Sequence, residues 1–364
     1  MTLVTPVMPA TSAPQAVAGS LARLGALARG LGGTRALVVT DPGVRAAGHV
    51  DRALASLAEA GLAAAVFDRV AENPTSLHVE DGRGEAAAFA ADLLIGLGGG
   101  SAMDCAKGIN FVLTNGGRME DHQGTGKAPL PMLPSIGVPT TAGTGSEAQS
   151  YALISHPETH AKMACGDPKA RFREVILDPD LAASAPRAVA ATAGIDAVSH
   201  AVESFVTTRG NDGSRRLARE AWRLLDGGLE SALAGDREAV GGTLLGAHLA
   251  GAAIEASMLG AAHACANPLT ARFGVPHGVA VGLMLPHVVR FNGEEIYREL
   301  QDGLAARLEE LRVAACLPAR LRDCGVDALS LPLLSEEAAR QWTAAFNPRP
   351  VTAADLLSLY EEAF

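Results

Sequence analysis

Asp196 and His200 stand four residues apart in Gly194-Ile195-Asp196-Ala197-Val198-Ser199-His200-Ala201-Val202-Glu203-Ser204. On a helix that spacing places both side chains on one face about one turn apart, so a carboxylate and an imidazole can converge on one ion. An isolated Asp-x-x-x-His is more often a surface pair or a hydrogen-bonded core histidine. Here the small and apolar neighbours Ala191, Ile195, Val198 and Val202 turn the pair inward, where polar groups need partners. Two further imidazoles extend the set. His263 reads as lying near the end of a long buried helix that Asn267-Pro268 breaks, and His277 as lying in the loop Val275-Pro276-His277-Gly278. One carboxylate and three imidazoles suit a borderline divalent ion, Fe2+ or Zn2+, and with an added substrate oxygen would make a Lewis-acid site.

A second kind of chemistry is suggested by glycine. Gly98, Gly99 and Gly100 follow the apolar run Leu93-Leu94-Ile95-Gly96-Leu97, and Ser101 with Asp104 has the spacing of a capping box. A helix starting there would point unpaired amides and its positive dipole end at a phosphate. The stretch is neither G-x-G-x-x-G nor a P-loop, so an anion site and a plain tight turn both stay open. Pro139-Thr140-Thr141-Ala142-Gly143-Thr144-Gly145 is a similar loop of hydroxyls and exposed amides, suited to a polar ligand or to an ordinary turn. Asp41, after the strand Ala36 to Thr40, could hold an adenosine ribose and repel a 2′-phosphate, which favours NAD over NADP.

The elements that must position these groups divide the chain in two. Helix is expected over 16–33, 47–60 and 83–91, alternating with strands at 36–40, 63–67, 93–97 and 132–138. That is the pattern of a parallel sheet covered on both faces, with ligands at the carboxyl ends of its strands. After Leu177 the strand-like runs stop, and helices are expected over 187–206, 213–234, 237–266, 294–313, 335–345 and 353–363. The expectation is therefore an α/β domain over 1–183 and an all-α domain over 184–364.

Composition narrows the function. With 364 residues, 48% of them hydrophobic, the chain can bury large cores. A net charge of −10 argues against nucleic-acid or anionic-membrane partners, which call for a basic face. Five scattered cysteines without C-x-x-C spacing argue against a disulfide framework and fit a reducing cytoplasm. Residues 1–6 lack the basic and apolar regions of a signal peptide. Leu244 to Ala266 is apolar but interrupted by His248, Glu255 and His263, so it reads as a buried helix and not a membrane span.

Together these motifs resemble the iron-containing (group III) alcohol dehydrogenase family over roughly 18–364. They are Gly98-Gly99-Gly100-Ser101 with Asp104 and Lys107, Pro139 to Thr144, Leu177-Asp178-Pro179, Gly194 to Glu203, and His263 through Pro276-His277-Gly278. The resemblance implies the dehydroquinate synthase-like fold, with a dinucleotide-binding α/β domain followed by a helical one. It implies an enzyme transferring hydride between NAD and a small alcohol, aldehyde or ketone, and a homodimer or higher homo-oligomer. Its metal ligands map onto Asp196, His200, His263 and His277. Its cofactor positions map onto Asp41, Asn73, Gly98, Gly99, Gly100, Ser101, Asp104, Thr140, Thr141, Thr144, Lys162 and Leu181.

Two departures stand out. Most relatives carry a second histidine four residues after the ligand matching His263, regarded as part of a proton path; this chain has Asn267, an amide that cannot relay a proton near neutral pH. The helical domain is also shorter than usual between about 312 and 350. Tyr151 and Ile254 are pocket-wall candidates. Competing readings on the same fold are a metal-free reductase of the maleylacetate type, disfavoured by the intact ligand set, and a sugar-phosphate cyclase, disfavoured by the lack of a basic phosphate cluster. A non-catalytic NAD- and metal-binding protein is the reading from another class.

Overall fold

The computed structural model describes residues 15–159 and 161–364. Residues 1–14, including the segment read as no signal peptide, lie outside the described residues. The chain forms two compact units: one runs to Thr141 and takes in Ser146–Ala185, the other holds Ala142–Gly145 and Pro186–Phe364.

The first unit is built on a six-stranded parallel sheet. Its strands are β1 (Gln15–Ala18), β2 (Arg35–Val39), β3 (Ala63–Phe67), β4 (Leu93–Gly98), β6 (Ser135–Pro139) and β9 (Glu174–Leu177), in the order β1-β9-β6-β4-β2-β3. Every residue of β4 and β6 is buried, as parallel strands covered on both faces require. Helices α1 (Leu24–Gly30), α2 (Pro42–Ala46), α3 (His49–Glu59), α4 (Ser76–Phe89), α5 (Gly100–Asn115) and α6 (Pro179–Ala182) accompany it. A smaller sheet, β5-β8-β7, joins β5 (Gly124–Thr125), β7 (Tyr151–Ser155) and β8 (Lys162–Gly166). From β2 the chain moves outward to β3, then returns to lay β4 and β6 on the other side, so the strand order reverses between β2 and β4. Such a reversal opens a crevice at the carboxyl ends of the strands.

The second unit is helical: α7 (Arg187–Val206), α8 (Asp212–Leu233), α9 (Arg237–Ala256), α10 (Ala261–Phe273), α11 (His277–Asn292), α12 (Leu304–Ala314), α13 (Leu331–Ala339) and α14 (Ala353–Ala363). Its core includes Ile195, Val198, Leu225, Leu269, Val281 and Leu356. α9 is long and apolar enough to cross a membrane by length and composition, and 61% of that stretch is buried inside the protein.

Several expectations from sequence are corrected. Residues 16–33 are not one helix: β1 pairs with β9, and only after Ser20, whose hydroxyl accepts the Ala22 N–H, does helical structure begin. The helix expected over 237–266 is two, interrupted at Ser257–Gly260. Pro268 does not end a helix; it lies inside α10, so the lost N–H costs one internal bond without breaking the element. His277 is the first residue of α11 and not a loop residue, because Pro276 supplies the extended N-cap. Ser101 and Asp104 form no capping box: the N-cap of α5 is Gly99, two residues earlier, and no side chain caps the helix.

Candidate metal centre and strand-end loops

α7 carries Asp196 and His200 on the face expected. Two glycines of α11 bring the next candidate, His277, in. A Cβ at Gly278 would stand 2.0 Å from the Thr192 carbonyl oxygen, and one at Gly282 would stand 2.6 Å from Ile195 Cγ2. Without them the first turn of α11, and His277 with it, could not lie against α7. α10 supplies His263 from its own first turn. The Asp196 Oδ1 atom then has three imidazole nitrogens around it: His200 Nε2 at 3.4 Å, His263 Nε2 at 3.7 Å and His277 Nε2 at 3.8 Å.

Donors bound at roughly 2.1 Å in tetrahedral array lie about 3.4 Å apart, so this spacing fits a single first-row divalent ion. Asp196 Oδ1 and His263 Nε2 are buried, with no hydrogen-bond partner among the described residues. Buried polar atoms are rarely left so, and an ion satisfies both. Among the described residues, Asp196, His263 and His277 are the group whose donor atoms all lie within 4.8 Å of one another. Asp196, His200 and His263 are almost wholly buried; the His277 side chain is 25% exposed.

The protein's own charges prepare this site unevenly. Burial opposes ionisation of Asp196, but His200 and the other two imidazoles outweigh it and hold the carboxyl well below the usual carboxylate range. Burial pushes His200 down to about 4 against the pull of Asp196, leaving it neutral at pH 7. His263 goes the other way: burial would lower it, yet Glu203 and Asp196 together raise it to about 9. The largest pull upward on His263 is Glu203. Its Oε2 accepts from His263 Nδ1 at 2.5 Å and its Oε1 from the Ala262 N–H at 2.8 Å, which fixes the ring and turns Nε2 toward Asp196. Sequence reading named no role for Glu203. The signal was present, because 196, 200 and 203 follow the i, i+4, i+7 stripe of one helix face.

The other set of candidates gathers at neighbouring strand ends. Asp41 follows β2 and caps α2, its Oδ1 accepting the Val44 N–H at 3.0 Å. Gly98 closes β4 with φ +154°, and a Cβ there would meet Ala102 Cβ at 2.7 Å and Asp41 Oδ2 at 3.2 Å. Gly99 and Gly100 start α5, leaving its first amides without a side-chain cap. The Ser101 hydroxyl accepts the Asn73 N–H at 3.3 Å, and Asn73 holds a left-handed φ of +52°. After β6 the Thr140 N–H donates to the Gly98 carbonyl at 2.9 Å, and Thr141 Oγ1 lies 3.4 Å from where a Gly99 Cβ would be.

Four candidates stand elsewhere. Asp104 points into the interior, where its Oδ1 accepts from Ser146 Oγ at 2.5 Å and pairs with the buried Lys107 at 3.4 Å. Leu181 is fully buried in the core beneath the sheet. Lys162 begins β8 opposite Ser155, whose N–H donates to Pro74, one residue after Asn73. Thr144 is exposed in the 142–145 segment that counts with the helical unit. Of the pocket-wall candidates, Tyr151 packs over Gly166, and Ile254 is buried in α9.

The sequence matches the family described as iron-containing alcohol dehydrogenase over residues 16–179, and its C-terminal family over residues 190–364. It is 33% identical over 351 residues to lactaldehyde reductase of Escherichia coli (strain K12), covering 91% of this chain and 92% of that one. It is 33% identical over 357 residues to 1,3-propanediol dehydrogenase of Klebsiella pneumoniae, covering 92% of each. Among solved structures, 1,3-propanediol oxidoreductase superposes with a TM-score of 0.93 at 32% identity, covering 97% of this chain and 98% of that chain. Sulfoacetaldehyde reductase from Bifidobacterium kashiwanohense in complex with NAD+ superposes at 0.89 with 25% identity, covering 97% of each.

Proposed function

The chain belongs to the iron-containing alcohol dehydrogenase family, and from that premise we propose that it moves a hydride between NAD(H) and a small alcohol, aldehyde or ketone at an ion held by Asp196, His200, His263 and His277. That it is an alcohol/aldehyde oxidoreductase follows from the family. NAD as the carrier, Fe2+ as the ion with Zn2+ as its competitor, and the residue roles are our reading. The observation that carries it is the Asp196 oxygen, buried without a hydrogen-bond partner among the described residues and facing three imidazole nitrogens at 3.4, 3.7 and 3.8 Å.

Bound there, the ion supplies Lewis-acid stabilisation of negative charge developing on the substrate oxygen, and the nicotinamide takes or gives the hydride. The chain's own groups do the rest. Burial of Asp196, His200 and His263 keeps water from competing for the donor atoms. Glu203 holds the proton of His263 on Nδ1, leaving Nε2 free to ligate. In the other unit, Asp41 presents a carboxylate for ribose hydroxyls and against a 2′-phosphate, while Gly98 lets a pyrophosphate approach the uncapped amides of α5. Ser101, Thr140 and Thr141 offer hydroxyls around it. We assign cofactor binding to 1–183 and metal and substrate binding to 184–364. Asn267 cannot carry the proton released at the substrate, so that proton leaves through water or a ribose hydroxyl. A homo-oligomer in the reducing cytoplasm completes the proposal; five free cysteines agree with it.

The test is turnover. Protein loaded with Fe2+ or with Zn2+ is assayed with NAD(H) against short alcohols and aldehydes. Ion-dependent turnover is the expected result; cofactor binding without turnover under both metals would leave a non-catalytic NAD- and metal-binding protein.

A further inference from the structure

The three helices that carry Asp196, His200, His263 and His277 all end against one short segment, residues 346–349. α10 begins without a local cap, since its N-cap is Gly260, and the first amides of a helix need partners from elsewhere. Two distant side chains supply them. Asn347 Oδ1 accepts the Ala261 N–H at 3.3 Å, and Glu203 Oε1 accepts the Ala262 N–H at 2.8 Å. Gly260 makes room for both, because a Cβ there would stand 3.0 Å from each of these oxygens. The buried Asn347 amide has further duties. Its Oδ1 also accepts from Asn292 Nδ2 at 3.2 Å, and its Nδ2 donates to Asn292 Oδ1 and to the Arg349 carbonyl, both at 2.6 Å. That uses every hydrogen-bonding position an amide has. Only one orientation of the amide serves, since the Ala261 N–H can only donate and the Arg349 carbonyl can only accept. Asn292 is the last residue of α11, whose first is His277. Arg349 Nη1 closes the same helix end by donating to the Phe291 carbonyl at 2.7 Å. The Phe346 carbonyl accepts the Thr208 N–H at 3.0 Å, one residue past the C-cap of α7.

Metal–ligand distances hold to within about 0.2 Å, whereas packed helices can shift past one another by about 1–2 Å. Apolar packing is non-directional and does little to stop such a slide; hydrogen bonds at helix ends are directional and do. A shift at the start of α10 passes directly to His263, two residues beyond Ala261. A slide of α11 along its axis carries His277 with it. We propose that Asn347 is a positioning residue of the metal centre: it locks the start of α10 to the end of α11 and so holds His263 and His277 at ligating distance from Asp196. The proposal rests on the metal-site reading above and adds to it a residue outside the ligand set.

The experiment loads the full chain with Co2+, whose visible absorption bands follow ligand geometry, and measures its dissociation constant by competition with a chelator. Three variants are compared with the unmodified protein. Asn347→Asp keeps the shape but sets a second oxygen against the Arg349 carbonyl. Gly260→Ala crowds both capping oxygens without removing either. Leu321→Ala truncates a fully buried core residue in the short 3-10 turn Leu321–Cys324, away from the ligand helices, and shows what lost stability alone does. The first two are expected to weaken Co2+ binding by about 10–100-fold, the usual effect of losing a group that orients a ligand, and to change the bands. Leu321→Ala should lower the melting temperature and leave both readouts alone. Binding within about twofold of the unmodified protein with unchanged bands, whatever the melting temperature, overturns the proposal. So does an equal loss of binding in Leu321→Ala. If Asn347→Asp does not fold, Gly260→Ala decides by the same two readouts. An unmodified chain that takes up no Co2+ would instead overturn the metal-site reading itself.

Discussion

Asp196, His200 and His263 are enclosed, and their donor atoms face one another; after β4, by contrast, α5 starts at Gly99 and Gly100 with no side chain capping its first amides. The first region carries its chemistry on side chains, the second largely on backbone. The two therefore fail in opposite ways. A side-chain site is broken by subtraction, because removing one ligand leaves the others buried and unmatched. A backbone site tolerates subtraction but is broken by addition where its backbone is most crowded, as at Gly98, where a Cβ would meet Ala102 and Asp41.

The largest effect is expected from subtraction. His200→Ala should lose the ion and with it the Lewis-acid contribution, several kcal/mol or about 10³-fold in kcat. NAD affinity should be nearly unchanged, because the strand-end loops lie in the other unit. Metal analysis beside a cofactor titration reads both; a variant that kept its ion would remove the proposed ligand set.

Addition is the next test. Gly98→Ala would place a Cβ 2.7 Å from Ala102 Cβ and 3.2 Å from Asp41 Oδ2, in a conformation that L residues seldom adopt. NAD binding should weaken by about 10²-fold, the order expected when backbone strain of 1–3 kcal/mol is added to lost approach. Metal content should stay at the unmodified level, and a loss of metal equal to that in His200→Ala would erase the contrast.

Proton linkage sharpens the comparison on the metal side. With His263 raised to about 9, its Nε2 proton must leave before that nitrogen can ligate. Metal affinity should then rise with pH through neutrality and level off above about 9, with a proton released that calorimetry in buffers of different ionisation enthalpy can count. Glu203→Gln removes the carboxylate that raises His263, so the levelling-off should move to lower pH. The affinity reached at high pH should fall by about 10–100-fold, the usual effect of losing a partner that orients a ligand. An unmoved profile would show that Glu203 does not govern the ring.

The smallest effect concerns Asp41. Asp41→Gly removes a like charge from the place proposed for a 2′-phosphate, and the NAD-over-NADP preference should narrow by about tenfold, one charge pair in a solvated crevice. Equal catalytic efficiency with both cofactors in the unmodified protein would take away the argument.

The same contrast explains what sequence could disclose. Asp196, His200, His263 and His277 could be singled out as candidates because polar residue types stand out against apolar helices, and the structure brings the four together. Their settings were harder to read. Asn267-Pro268 looked like a helix end, but packing carries α10 through Pro268, and the real interruption at Ser257–Gly260 has no proline to mark it. The strand β1 hid inside an apolar run that local periodicity could not separate from α1; pairing with β9, more than 150 residues away, decides it. Ser101 and Asp104 had the spacing of a cap, yet Asp104 is claimed by Lys107 one turn on and by Ser146, 42 residues away, which no local pattern relates to it.

The membership of residues 142–145 bears on modularity. Gly143 sits against Ala193 of α7, and Gly145 against Ala247 and Gly251 of α9, at separations that admit no Cβ on either glycine. The chain therefore passes from one unit to the other at 141/142, back at 145/146, and over again at 185/186. No single cut divides it into two self-sufficient pieces. A fragment beginning at Pro186 would leave a bare seam along α7 and α9, a few residues from Asp196. Neither unit could have been exchanged wholesale during evolution without carrying this four-residue insert along or refilling its seat.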